Sequence, residues 1–167
     1  MVENTQYNNT DEVSTTSYES NRGKPISSKN HAIIQKSILV LLVILYGDNF
    51  EILPELKLKG NKTKNPVPDI SIFEKTLSFT PGDDEIMVET IPLGVIEILS
   101  PKQNIDELIK KSRNYFSMGI QSYWLVIPDL RSIFIFDKNN KQSVFTEKDK
   151  LQDSVLNIEI DLEKIFY

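Results

Sequence analysis

The 167-residue chain has no cysteine and one histidine. Disulfides and thiolate zinc sites are therefore excluded, a reducing compartment is permitted, and no metal can be held by several imidazoles. Net positive charge is also lacking. The formal charge is -5 with a pI near 5.0, so there is no overall electrostatic footprint for nucleic acid, and any such role must rest on a local basic patch. Long apolar runs are missing as well: the longest, Ile38 to Tyr46, is nine residues, half of the roughly 18 that suggest a membrane span. The polar, acidic N-terminus does not read as a secretory signal. A cytoplasmic protein of one domain with no membrane contact is expected.

What is present divides into a tail and a body. Residues 1–24 are rich in Asn, Thr, Ser and Glu and offer too little apolar surface to offset ordering, so a disordered or loosely attached tail is expected. From Pro25 the pattern changes. Ser27, Ser28 and Asn30 provide capping side chains for a helix from His31 to Tyr46, apolar on nearly all sides and hence expected to be buried. Phe50 to Leu58 alternates as a strand broken at Pro54, near a sheet edge. Further strands are expected at Asp69–Phe73, Val95–Leu99, Ser122–Ile127, Ser132–Phe136 and Ser143–Thr146. Asn104 caps a helix from Ile105 to about Met118 that Gly119 closes. A short strand and a terminal helical turn follow between Val155 and Tyr167. The fold class expected from this order is α/β, with one mixed central sheet flanked by helices.

Two residues break the strand pattern. Asp69 lies in Val-Pro-Asp-Ile-Ser-Ile-Phe and Glu97 in Val-Ile-Glu-Ile-Leu-Ser-Pro, each among apolar neighbours where an isolated carboxylate costs several kcal/mol unless a cation or hydrogen bonds compensate. If their strands pair antiparallel, both acids reach one end of the sheet, and a hard cation such as Mg²⁺ would relieve their repulsion. The second helix offers a further partner. Leu108, Lys111, Tyr115 and Met118 form one stripe at helical spacing, so Lys111 points inward, whereas Lys110 pairs with Asp106 and Glu107 on the outer side. Two acids, a metal and a lysine suit phosphodiester hydrolysis. The residues alone leave open a second reading, a structural Lys111–Glu97 ion pair in a catalytically silent binding or dimerisation module.

Three segments, Pro-Val-Pro-Asp-Ile-Ser-Ile, then Val-Ile-Glu-Ile-Leu-Ser-Pro-Lys-Gln-Asn-Ile-Asp-Glu-Leu-Ile-Lys-Lys, then Tyr-Phe-Ser-Met-Gly-Ile-Gln-Ser-Tyr-Trp-Leu-Val-Ile-Pro-Asp-Leu, resemble the Uma-type family of restriction-endonuclease-like proteins, of the PD-(D/E)XK nuclease superfamily. The resemblance runs from about Pro25 to the C-terminus. It implies a Mg²⁺-dependent endonuclease (Mn²⁺ as substitute) acting on DNA, often as a homodimer, with Asp69 and Glu97 as metal ligands and Lys111 as the catalytic lysine. In the general motif the lysine follows the second acid on its strand; here Leu99 stands there, so the ammonium must come from Lys111. The acidic, glycine-containing N-terminal segment of longer members is missing.

His31 and Glu55 are second-rank members of the site. A histidine also recurs at the position of His31 in the resembling family, where it could donate a hydrogen bond or position water. Its bland reading, a capping or surface residue whose charge the helix dipole disfavours, is the more frequent one. Glu55 reads equally as a third carboxylate or a solvent-facing strand residue. Tyr123 and Trp124 read as core rather than base-stacking platforms. Lys57, Lys59, Lys62 and Lys64 read as edge-strand protection, with a phosphate patch as the alternative.

Overall fold

The computed structural model describes residues 27–61, 65–82, 84–139 and 141–167. The expected tail, with Lys62 and Lys64, lies outside the described residues.

Helix α1 covers Lys29–Tyr46 and starts two residues before the expected His31, because Ser28 is the cap and its side chain accepts from the His31 N–H. Strands β1 (Phe50–Pro54), β2 (Ile70–Glu74) and β3 (Gly94–Ile98) lead to helix α2 (Ile105–Met118). Its ends are set by local chemistry. The Asn104 side chain accepts from Asp106 N–H at the start, and Gly119 turns left-handed at φ 103 at the finish, a conformation that costs glycine little. Strands β4 (Ser122–Ile127), β5 (Ser132–Asp137) and β6 (Gln142–Thr146) complete a six-stranded sheet in sequential order, and β7 (Lys150–Asp153) and β8 (Ile158–Asp161) form a separate hairpin. All neighbours in the large sheet are antiparallel except β3 and β4, which α2 joins in parallel.

Alternation along the strands sorts two cores. Ile70, Ile72, Ile96, Ile98, Trp124 and Val126 face α1 and the β7–β8 hairpin. Phe73, Val95, Tyr123, Leu125 and Ile127 face Leu108, Tyr115 and Met118 of α2. β3 and β4 are buried along their whole length, as central strands covered by helices must be. Tyr123 and Trp124 are both fully buried, on opposite faces.

Two expectations are corrected. Helix α1 is not buried all round: His31, Ile34, Ser37, Ile38 and Leu42 pack inward, while Ile33, Val40, Val43, Ile44 and Leu45 are exposed. A sheet covers one face of a helix, and a sequence apolar on every face does not say which one. By length and composition α1 would suffice to cross a bilayer, yet its inward face belongs to the core. Strand β7 was not foreseen, because Leu151 is its one buried apolar residue and its pairing with β8 supplies what local pattern does not.

Candidate active site

Asp69 sits in the bend just before β2, and Glu97 is the fourth residue of β3. The two strands pair antiparallel with Ile70 opposite Ile96, so one further step of the same register sets Asp69 against Glu97. Both acids are buried, at 2% and 1% exposure. Pro68, also buried, fixes the approach to the bend.

Glu97 points to the α2 side. Lys111 Nζ reaches both of its carboxylate oxygens at 3.2 Å, and the Tyr115 hydroxyl donates to Oε1 at 2.5 Å. The inward stripe of α2 therefore delivers Lys111, as its spacing predicts, and with it Tyr115 four residues on. The Lys111 side chain is 34% exposed while Glu97 is enclosed, so one ammonium bridges the interior carboxylate and solvent. Burial, then the Glu97 charge and the hydrogen bond to it, raise the Tyr115 hydroxyl well above the usual tyrosine range. Tyr123 is raised by burial and then by the charges of Glu97 and Asp69. Both phenols thus stay protonated in the folded protein, and both feel the two acids as one negative neighbourhood.

Asp69 is held from the α1 side. Its Oδ2 accepts from the Ile98 N–H at 2.7 Å and lies 3.2 Å from His31 Nε2. Its backbone carbonyl accepts from Gln35 Nε2 at 2.8 Å and from the Glu55 N–H at 3.2 Å. Gln35 also donates to Glu55 Oε1 at 3.3 Å. Glu55 follows β1 rather than belonging to it and takes a left-handed φ of 57°; it is half-buried, against its reading as a solvent-facing strand residue.

His31 corrects the expectation of a capping or surface residue. It is 4% exposed, because the helix turn that Ser28 caps points residue 31 at the sheet rather than at solvent. Beside it lies a cavity of about 110 Å³, lined by Asn30, Leu99, Gln103 and Asp129 among others. The cavity opens where the parallel strands β3 and β4 end, the usual place for a ligand in such a sheet. Leu99 forms part of its wall.

The sequence alone assigns Gln35 and Tyr115 no chemical role. The signal for Tyr115 was its place on the Lys111 stripe. For Gln35 it was its spacing of four from His31, which puts both on one helix face.

The family model described as Uma2, "Putative restriction endonuclease", matches residues 6–163. The match begins well before Pro25 and so takes in most of the polar tail. Among solved structures, one described as a putative nuclease belonging to DUF820 from Anabaena variabilis superposes with a TM-score of 0.74 at 21% identity, covering 85% of this chain and 83% of that one. A DrdV–DNA complex gives a TM-score of 0.47 at 13% identity, over 83% and 76% of the two chains. No curated protein matches. The six-stranded mixed sheet with a helix on each face is the restriction-endonuclease-like fold, and with nearly its whole length matched the chain belongs to the Uma2 family of restriction-endonuclease-like proteins.

Proposed function

We propose that this chain is a metal-dependent endonuclease that hydrolyses phosphodiester bonds in DNA at Asp69, Glu97 and Lys111. The observation that carries the reading is the contact of Lys111 with both oxygens of Glu97, one register step from Asp69. Family membership supports the reaction class.

The donor set fits a hard divalent cation. Asp69 and Glu97 supply carboxylate oxygens at one end of the sheet. Among the described residues no group of three or more His, Asp or Glu side chains forms a metal cluster. Mg²⁺ usually takes one or two carboxylates and completes its shell with waters and substrate phosphate, and Asp69 and Glu97 would supply those two. When bound, such an ion polarises the phosphate and lowers the pKa of an attacking water. The chain's own residues do the rest. Lys111, partly exposed, exchanges a share of its contact with Glu97 for a phosphate oxygen or the water, placing positive charge where negative charge develops. Tyr115, held protonated, keeps Glu97 Oε1 oriented while Lys111 shifts.

The test is cleavage of supercoiled and linear DNA in Mg²⁺ or Mn²⁺ by the wild type and by Asp69→Asn, Glu97→Gln and Lys111→Ala. Losses of at least about a hundredfold are expected for each, the scale of removing an electrostatic group from a reaction centre; full cleavage by all three would sink the assignment.

One observation favours the silent-module reading. Glu97 is already neutralised by Lys111 and bonded to Tyr115, a self-sufficient arrangement. Thermal melts separate the two: a metal site gains stability with millimolar Mn²⁺, and a structural ion pair does not.

A further inference from the structure

We infer that His31 is a positioning residue for Asp69, and that α1 acts through His31 and Gln35 as a two-jawed clamp on this acid, with no proton transfer by the imidazole. The inference rests on the proposed function in one respect, that Asp69 is a metal ligand.

Three observations carry it. First, residues 31 and 35 lie four apart on the inward face of α1 and engage the two ends of the same residue. His31 Nε2 is 3.2 Å from the Asp69 carboxylate, and Gln35 Nε2 is 2.8 Å from its carbonyl oxygen. With the Ile98 N–H at 2.7 Å on the same Oδ2, two N–H groups fix one carboxylate oxygen, and the backbone behind it is tied as well.

Second, the other imidazole nitrogen has nowhere to send a proton. His31 Nδ1 is buried and, among the described residues, has no hydrogen-bond partner. A hydrogen at Nδ1 would be a buried donor without an acceptor, which costs about 1–3 kcal/mol, whereas a bare lone pair there costs less. The geometry therefore selects the tautomer with hydrogen on Nε2, donating to Asp69. A relay needs a partner at each nitrogen, and among the described residues only Nε2 has one, Asp69.

Third, the clamp is built into the start of α1. Ser28 accepts from the His31 N–H at 3.3 Å, which makes residue 31 part of the first helical turn. The helix N-terminus adds its own attraction for the neighbouring anion. A ligand carboxylate aimed by an imidazole and an amide keeps its full charge for the cation, the role that outer partners have around ligating groups.

The experiment measures Mn²⁺ binding to the full chain by titration calorimetry without DNA, alongside cleavage and its pH profile. His31→Phe keeps the ring and loses the donor; Mn²⁺ affinity is expected to fall 10- to 100-fold, the usual cost of removing such a partner. His31→Gln restores an amide donor with no titrating ring. It is expected to bind Mn²⁺ within about threefold of wild type and to keep the wild-type pH profile. Gln35→Ala tests the other jaw at a half-buried position, with a several-fold loss expected, and keeps the inference testable should His31→Phe fail to fold. Wild-type affinity in His31→Phe or Gln35→Ala would overturn it. So would a His31→Gln protein that binds Mn²⁺ normally but is inactive, since that assigns the ring to proton transfer. If wild type binds no Mn²⁺, the inference falls with the metal site; if it binds Mn²⁺ with the expected order of variants yet cuts no DNA, only the nuclease reading fails.

Discussion

Asp153 and Glu97 are carboxylates buried on opposite faces of one sheet, at 2% and 1% exposure, and they are satisfied by different kinds of partner. Asp153 accepts from the Ser122 hydroxyl at 2.5 Å and from the Trp124 indole at 2.7 Å. Its other oxygen takes the backbone N–H groups of Val155 and Leu156 at 2.9 and 3.1 Å. These four donors are neutral and belong to β4 and the β7–β8 turn, so the acid ties the hairpin to the sheet. Glu97 has a tyrosine and an ammonium instead, and that ammonium is partly in solvent. A charge closed off by neutral, fixed donors has no position to offer a ligand. A charge balanced by a solvent-reaching cation can exchange partners, which is what the chemistry proposed for the second centre requires.

Mutation should separate the two centres. Glu97→Ala is expected to lose cleavage altogether at a smaller cost in stability than the change at Asp153. Its removal strands the Tyr115 hydroxyl at about 1–3 kcal/mol, relieves repulsion with Asp69, and leaves Lys111 free to hydrate. Asp153→Ala should do the reverse, losing about 3–4 kcal/mol because buried donors of Ser122 and Trp124 go unmatched. In a domain of this size that is a drop in Tm of about 10 °C, with cleavage per folded molecule unchanged. Equal loss of cleavage in both would erase the distinction between the two centres.

A smaller effect is expected at alkaline pH and is confined to the Glu97 side. Tyr115 and Tyr123 are both raised above the ordinary value of 10.0 in the folded state. The native protein then holds these protons more tightly than the unfolded chain. The resulting stability is whole below pH 10 and is lost as pH rises from there toward the native values. Urea melts should show stability declining above pH 10, and Tyr115→Phe should flatten that decline. Asp153→Asn should leave its slope as it is, because neither tyrosine is perturbed by Asp153.

Much of this arrangement was legible before folding. Asp69 and Glu97 stood out because a carboxylate among β-branched neighbours conflicts with its surroundings. Lys111 stood out because Leu108, Tyr115 and Met118 share its stripe and are buried. The antiparallel pairing of the two acidic strands stood only as the condition for bringing the acids together, and the register meets it. His31 was legible as a residue of interest and not as a partner of Asp69, since its first-turn position fits a surface cap better. The same holds for Gln35 and for the Ile98 N–H, whose contacts to Asp69 span 34 and 29 residues.

By itself the sequence determined the strands and helices whose signals are local: the alternation of β1, the β-branched and aromatic runs of β2 to β5, the caps Ser28, Asn104 and Gly119, and the periodicity that turns Lys111 inward. These depend on neighbours a few residues apart, which the chain fixes as soon as it is written. Only the tertiary structure decided which face of α1 meets the sheet, and hence that His31 and Gln35 grip Asp69 while Ile33, Val40 and Ile44 face outward. It also decided that Tyr115 bonds Glu97 and that β7 exists at all. Those outcomes depend on which surfaces meet when layers pack, and a helix apolar on all sides, a lone histidine or a strand with one buried leucine carries no local record of the partner it will find.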